Sequence, residues 1–431
     1  KTPSTKEPRF YGGNIPFIKP GDLDHSGLIF QTESFLTDAG ASEVPNLPAK
    51  SIVVTCIGNL GKVGLTTTTS ATNQQINAVI PEREVNPIFL FHFSKTLKPW
   101  LENESSATTI SIVNKGIFSR APVTLPPLNE QTRIAQKLDE LLAQVDTLKA
   151  RIDAIPALLK RFRQSVLAAA VSGRLTEEWR AQNVDEFGGD ELAAEHIDEL
   201  AWPMVRLGDI ARDFSYGSSA KSQPAGDIPV LRMGNIQGGR LDWSDLVFSS
   251  DKEEIRKYSL QANDILFNRT NSPELVGKTA IYKGERPAIY AGYLIRVRCS
   301  EYLSPNFLNY CLNSPQGRDY CWQVKTDGVS QSNINAKKLA DFQLGLPSIE
   351  EQTEIVRRVE QLFAFADQLE AKVATAQARI DRLTQSILAK AFRGELVPQD
   401  PNDEPASVLL ERIRAQRAAE PKAKRGRKAS A

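Results

Sequence analysis

Two stretches of the chain carry an apolar pattern that never misses a step. In the first, Ile134, Leu138, Leu141, Val145, Leu148, Ile152, Ile155, Leu159, Phe162 and Val166 follow at alternating steps of four and three. In the second, Ile355, Val359, Leu362, Ala366, Leu369, Val373, Ala376, Ile380, Leu383 and Ile387 repeat those steps 221 residues later. A period of 3.5 residues predicts helices that coil left-handedly on a partner. A continuous helix from Ile134 to Val166 is about 50 Å long. So long a stripe is hard to bury on one small domain, which favours pairing of the two helices over each packing on its own domain. An antiparallel pair would form a spacer of set length. Ser348 and Glu351 make a capping box after Pro347, and Asn129 after Pro126 and Pro127 is the matching cap. Pro156 conflicts with this pattern, because it removes a backbone donor; it predicts a kink, or a long helix followed by a shorter one. Gln377 stands at the same place in the second stretch.

The match between the stretches is part of a wider repeat. LPPLNEQTRIAQKLDELLAQVDTL from Leu125 aligns with LPSIEEQTEIVRRVEQLFAFADQL from Leu346, and Gly173 meets Gly394, at the same offset of 221. Upstream, IPFIKPGDL from Ile15 echoes IPVLRMGNI from Ile228, and Val63-Gly64 echoes Val276-Gly277, at an offset of 213. Short insertions therefore separate the two registers. The opening segment from Trp202 has no counterpart before Lys1, so the first copy is expected to be cut part-way into its domain.

Outside the heptads the apolar runs shorten and become β-branched. Residues 51–57 and 264–267 read as buried strands, and residues 58–77, 268–279 and 325–338 as polar loops. The expected fold class is α+β: two globular mixed α/β domains separated by two long heptad helices packed as an antiparallel coiled coil, with a pseudo-twofold internal repeat. The expected domains are 1–124, a helical spacer 125–173, an acidic linker 174–201, a second domain 202–345, a spacer 346–397 and a C-terminal segment 398–431. The linker, with nine acidic and two basic residues, reads as exposed and helical near 191–200. The end of the chain from Arg412, with eight basic residues and one acidic, reads as a solvated tail or a non-specific DNA contact.

Composition adds limits. The 53 basic and 52 acidic side chains nearly cancel. Residues 1–125 hold 11 basic and 10 acidic groups, and residues 202–346 hold 18 and 15, too few for tight binding by phosphate neutralisation alone. The four cysteines show no CxxC pair and no histidine at metal spacing, which points to a reducing compartment and a cytoplasmic protein. No stretch approaches the length of a membrane span.

The polar loops carry side chains suited to base edges and phosphates: Lys62, Asn73, Gln74, Asn268, Arg269, Lys278, Lys325, Gln331 and Asn333. Thr326, Ser330, Ser332 and Asn335 accompany the last three, and Thr108, Thr109, Ser111 and Asn114 are their counterparts in the first copy. Each single residue reads equally well as part of a solvated loop. Catalytic motifs fail in turn. Asn86-Pro87-Ile88-Phe89 resembles the signature that holds a target amine in amino-methyltransferases, but Ser304-Pro305-Asn306-Phe307 keeps only the Pro and Phe, which indicates packing. The glycines around Lys62 lack the Ser or Thr of a phosphate loop. His25, His92 and His196 are scattered, with no carboxylate or nucleophile in a recognisable arrangement, and no catalytic or metal site emerges.

A domain opening with W-P-M-V-R-L-G-D-I at Trp202, followed by IPVLRMGNI and an E-Q-x-x-I helix start at Glu130-Gln131 and Glu351-Gln352, resembles type I restriction–modification specificity subunits, the HsdS family. The helix ends RFRQSVLAAAVSGRLTEEWR and LTQSILAKAFRGELV resemble it too. The resemblance implies that each variable region is a target-recognition domain reading half of a bipartite, asymmetric site in double-stranded DNA. It implies that the helices set the gap and bind two methyltransferase subunits, whose S-adenosylmethionine methylates adenine. Restriction subunits that use ATP and Mg would join them. This chain would bind no cofactor and catalyse nothing. A subunit serving a fused methyltransferase–nuclease, and a coiled-coil scaffold unrelated to DNA, are the alternatives.

Overall fold

The computed structural model describes residues 2–24, 27–105, 110–183 and 202–419. Contacts divide the chain into two units, Lys1–Asp153 with Thr375–Ala431, and Ala154–Ala374. Both long helices are shared between them: Leu128–Val171 and Ile349–Phe392, each 44 residues and so about 66 Å. Each unit therefore combines one mixed α/β domain with a length of both helices.

In the first unit, strands run in the order Gly27–Ile29, Val63–Thr66, Ile52–Thr55, Ile76–Val79. One face of this sheet packs Ile52, Val54, Val63 and Leu65 on Leu90, Phe93, Leu97 and Leu101. The other packs Val53 and Ile29 on Ile18 and Leu23. In the second unit the sheet runs Ala211–Tyr216, Leu294–Cys299, Ile265–Asn268, Thr279–Ile281. Ile265, Phe267 and Val297 face Phe307, Leu308 and the long helices, whereas Leu266 and Leu294 face Tyr290 and Ala280.

Strand pairing shows how the repeat changes register. Pro16 opposite Phe35 becomes Pro229 opposite Phe248, both 213 residues on. Phe17 opposite Ala71 becomes Val230 opposite Ile289, where the second partner has moved by 218. The Val63-Gly64 echo is corrected by the same logic. Opposite Ile52–Val54 and Ile265–Phe267, Val63-Gly64 corresponds to Thr279-Ala280, while Gly277 occupies a left-handed turn at φ +84°.

Within each unit the long helices run antiparallel. Lys149 Nζ lies 3.3 Å from Asp381, and Gln377 donates to Asp153 at 2.7 Å, in the first unit. Arg163 meets Asp367 at 2.8 Å in the second. Half of the twenty seam residues are buried: Ile134, Leu138, Val145, Leu159, Val166, Ile355, Val359, Ala366, Val373 and Ile380. Leu141, Ile152, Leu362 and Leu369 are half-buried. Leu148 and Leu383 are exceptions, exposed at 48% and 46%, close together in the antiparallel register. The period alone does not reveal that the seam is exposed there.

Several expectations are corrected. The helix continues through Pro156, which lies on the exposed side where the carbonyl it leaves unpaired can meet water. Residues 58–77 are not one loop but contain Val63–Thr66, Ser70–Thr72 and the start of Ile76–Val79. The first part of the acidic linker is helical, as Arg174–Thr176 and Glu177–Gln182, with Thr176 buried and the other side chains half-buried or exposed, while residues 184–201 lie outside the described residues. The basic end begins as a helix, Ala406–Ala419, with Leu409 and Ile413 buried and Arg412 and Arg417 paired with Glu84 and Glu82. Residues 420–431, His25, His196, Thr108 and Thr109 lie outside the described residues. Among the described residues, no helix is long and apolar enough to cross a membrane.

Candidate nucleic-acid interface

The repeated Glu-Gln pair fastens each mixed α/β domain to the start of a long helix. The Gln131 side chain is wholly buried. Its Oε1 accepts from the Asn86 backbone N–H at 2.8 Å, and its Nε2 donates to the Pro126 carbonyl at 2.9 Å. Gln352 repeats this, accepting from Ser304 N–H at 2.7 Å and donating to the carbonyls of Tyr302 and Pro347, each at 2.9 Å. Both glutamines thus stitch the start of a long helix to the loop opening a domain helix. Asn86 and Ser304 also cap those domain helices, Pro87–Ser94 and Pro305–Asn313, through their side chains. The methyltransferase-like Asn86 is therefore a cap, and its motif serves packing.

The neighbouring contacts differ. His92 is buried with Nε2 2.7 Å from Asp139, a carboxylate pairing that sequence spacing did not show. Burial holds its imidazole below the usual range, favouring the neutral ring. Tyr310 takes its place in the second unit, and burial pushes its phenol up to about 12. The buried Glu351 accepts from Thr176 at 2.7 Å, Arg180 at 2.8 Å and the Trp202 indole at 3.0 Å. Glu130 is equally buried, and its side chain has no hydrogen bond among the described residues. Burial pushes its carboxyl up.

The second unit raises a small antiparallel sheet from its surface. Thr270–Asn271 pairs with Ser332–Asn333, which pairs with Thr326–Asp327. The last two strands form a hairpin closed by Gly328 N–H donating to the Gln331 carbonyl at 2.8 Å. Its root is thoroughly bonded. Lys325 donates to both Asp327 carboxylate oxygens at 2.6 Å and lies over the Trp322 ring. Ser332 also donates to Asp327. Lys338 reaches the Val324 carbonyl at 2.5 Å and Thr326 Oγ1 at 2.7 Å. Asn333 donates to Thr270 at 2.7 Å and accepts from Arg269 at 3.5 Å. The Arg269 guanidinium stacks over the Tyr216 ring.

The residues singled out from sequence therefore separate. Arg269, Lys325, Gln331 and Asn333 gather on this hairpin and its base, but only Gln331 is left with its side chain exposed and unbonded among the described residues. Asn268 is wholly buried, and neither polar atom of its side-chain amide has a hydrogen-bond partner among the described residues. Lys278 donates to Gln237 at 3.1 Å, away from the hairpin, and burial lowers its pKa. In the first unit Lys62 pairs with Asp24. Asn73 folds back on Gln75 in a turn, and Gln74, exposed, accepts from Thr2. The exposed aromatics Tyr216, Tyr293 and Trp322 and the tip valine Val329 were missed. The Asp327-Gly328 dipeptide was the available hairpin signal. Among the described residues no cluster of His, Cys, Asp or Glu could hold a metal ion.

The type I restriction modification DNA specificity domain matches residues 1–157 and 199–376. The EcoKI type I restriction enzyme specificity subunit of Escherichia coli K12 is 37% identical over 365 residues, covering 81% of this chain and 76% of that protein. The StySPI specificity subunit of Salmonella potsdam is 37% identical over 356 residues, covering 79% and 74%. Among solved structures, a chain from work on complex assembly and conformational transition of the type I R-M system superposes with a TM-score of 0.69 at 20% identity, covering 91% of this chain and 94% of that one. The HsdS subunit of Thermoanaerobacter tengcongensis gives 0.54 at 20% identity, covering 91% and 93%.

Proposed function

The chain belongs to the type I restriction–modification DNA specificity family, and from that premise we propose that it reads a bipartite, asymmetric site in double-stranded DNA. Each unit takes one half-site. The two halves differ because the loops differ on a common frame. The observation that carries this reading is the duplicated Gln131/Gln352 lock, which fixes two dissimilar domains to helices of equal length. A frame so repeated serves to hold two reading surfaces at a set separation.

The chain itself does no chemistry in this reading and binds no cofactor. Two methyltransferase subunits dock on the long helices and bring the S-adenosylmethionine that methylates adenine. Restriction subunits bring ATP and Mg. The complex works in the cytoplasm, where unpaired cysteines persist; burial pushes Cys299 up to about 12 and Cys321 up to about 11, which keeps both thiols protonated.

The test is single-molecule methylation mapping in cells expressing this chain with its methyltransferase. A split adenine motif that vanishes when the chain is deleted is the expected result. Inserting one heptad into both long helices should change the gap and leave both half-sites unchanged. A constant gap would remove the spacer role, and a missing motif would remove the DNA reading. Co-purification of a single fused methyltransferase–nuclease would identify the related system instead.

A further inference from the structure

The geometry points to the hairpin of residues 326–333 as a base-reading finger of the second unit, with Val329 and Gln331 at its tip selecting an A·T-containing step in the major groove. This rests on the DNA-specificity reading above. The root and the tip of this hairpin are built in opposite ways. At the root every polar side chain is tied: Lys325 and Ser332 to Asp327, Lys338 to Thr326, and Asn333 to Thr270 and Arg269. Arg269 is in turn held by the Gly292 carbonyl and the Tyr216 ring, and Tyr216 accepts from Ala336 N–H. Such a root is rigid and spends its cations internally, so it is poorly suited to phosphates.

The tip is the reverse. Val329 is fully exposed and packs on nothing. Ser330 and Gln331 are exposed, with no side-chain hydrogen bond among the described residues. A valine left in water forgoes the burial that draws most valines inside. A turn made only to join two strands would carry a polar residue or glycine there. A two-stranded ribbon fits a major groove about 12 Å wide. Within it a valine methyl meets the C5-methyl of thymine, and a glutamine amide pairs bidentately with adenine N6 and N7. The tip presents that pair of groups two residues apart. An apolar tip could also touch a protein partner, but adjacent unpaired hydroxyl and amide groups on a rigid ribbon fit base edges better.

The experiment uses the full chain with its methyltransferase, comparing wild type with Val329→Ser and Gln331→Ala by methylation mapping and thermal melting. Melting should be unchanged, because the tip supports nothing else. Only one half of the split motif should relax, with discrimination at the affected A·T pair falling roughly ten- to a hundredfold. If both halves keep the wild-type motif at full methylation, the finger does not read bases, although the wild-type motif still stands. If methylation falls everywhere with the motif unchanged, and the methyltransferase no longer co-purifies, the tip is a protein contact and the inference is overturned. A wild-type chain that directs no motif would overturn the specificity reading together with the finger.

Discussion

The two units begin their long helices with the same dipeptide and use half of it differently. The glutamines are interchangeable in role: Gln131 and Gln352 each accept one backbone N–H and donate to carbonyls of the loops they join. The glutamates are not. Glu351 gathers a hydroxyl, a guanidinium and an indole, whereas Glu130 is buried without such donors among the described residues. Three positions on the contrast continues, where Arg133 pairs with Asp403 in the first unit and Glu354 pairs with Arg357 and Arg358 in the second. An identical motif thus marks an identical backbone junction. The charge chemistry around it is settled locally by whatever segment packs there.

The largest effect should come from the shared half. Gln352→Ala strands the Ser304 N–H and two carbonyls, costing about 3–4 kcal/mol, or roughly 6–16 °C in melting temperature. Gln131→Ala strands two groups and should cost about 2 kcal/mol. Equal losses by calorimetry would show that the extra Tyr302 contact contributes nothing.

Next, the glutamates should part company. Glu351→Gln places an amide among three donors and should cost about 2–3 kcal/mol. Glu130→Gln should be neutral or slightly stabilising, within about 0.5 kcal/mol. Urea midpoints measured side by side decide this, and a comparable loss at both positions would break the comparison.

The smallest effect is in the response to acid. Burial raises the Glu130 carboxyl, so its folding cost is fully present above the raised value and disappears below the ordinary glutamate pKa of about 4.3. The Arg357 hydrogen bond holds Glu354 down to about 2, so its contribution is present above that ordinary value and is lost as pH falls toward 2. Between pH 6 and pH 3 the wild type should therefore gain on Glu130→Gln and lose on Glu354→Gln. Parallel slopes in a pH series of denaturation curves would count against the assignment.

What could be read in advance follows from where each signal lies. The helix seams and the duplication rest on periodic patterns, and those survive in the structure. The capping survives only in part: Ser348 accepts from the Glu351 N–H, but the Glu351 carboxylate bonds Thr176, Arg180 and Trp202 and does not close the box. The first helix begins at Leu128, which places the expected cap Asn129 inside it. The first helix is not interrupted at Pro156, because packing along the seam and exposure of the proline outweigh a local propensity. Ser70–Thr72 is not legible because a polar–apolar–polar run of three residues is too short to establish a strand period. Among the interface candidates, residue type revealed hydrogen-bonding capacity but not direction. Lys325 is spent on Asp327, two residues along the chain, and Arg269 on Asn333, which strand pairing brings to it and composition does not encode; Asn268 is buried in the sheet. The donors of Glu351, at positions 176, 180 and 202, lie far from it in sequence and follow no spacing rule.

The sharing of both long helices between the units has a consequence for the order in which the protein is made. The second unit is one unbroken segment, Ala154–Ala374, and can close as soon as its last residue leaves the ribosome. The first unit needs Thr375 onward, including Leu388, Ala391 and Phe392, whose aromatic ring packs on Phe89 and Phe93. At about 5–20 residues per second, its N-terminal part waits on the order of ten to forty seconds while the intervening segment is synthesised. The domain translated first is thus completed last, and its apolar face against Leu388 and Phe392 is the surface a nascent chain leaves open longest.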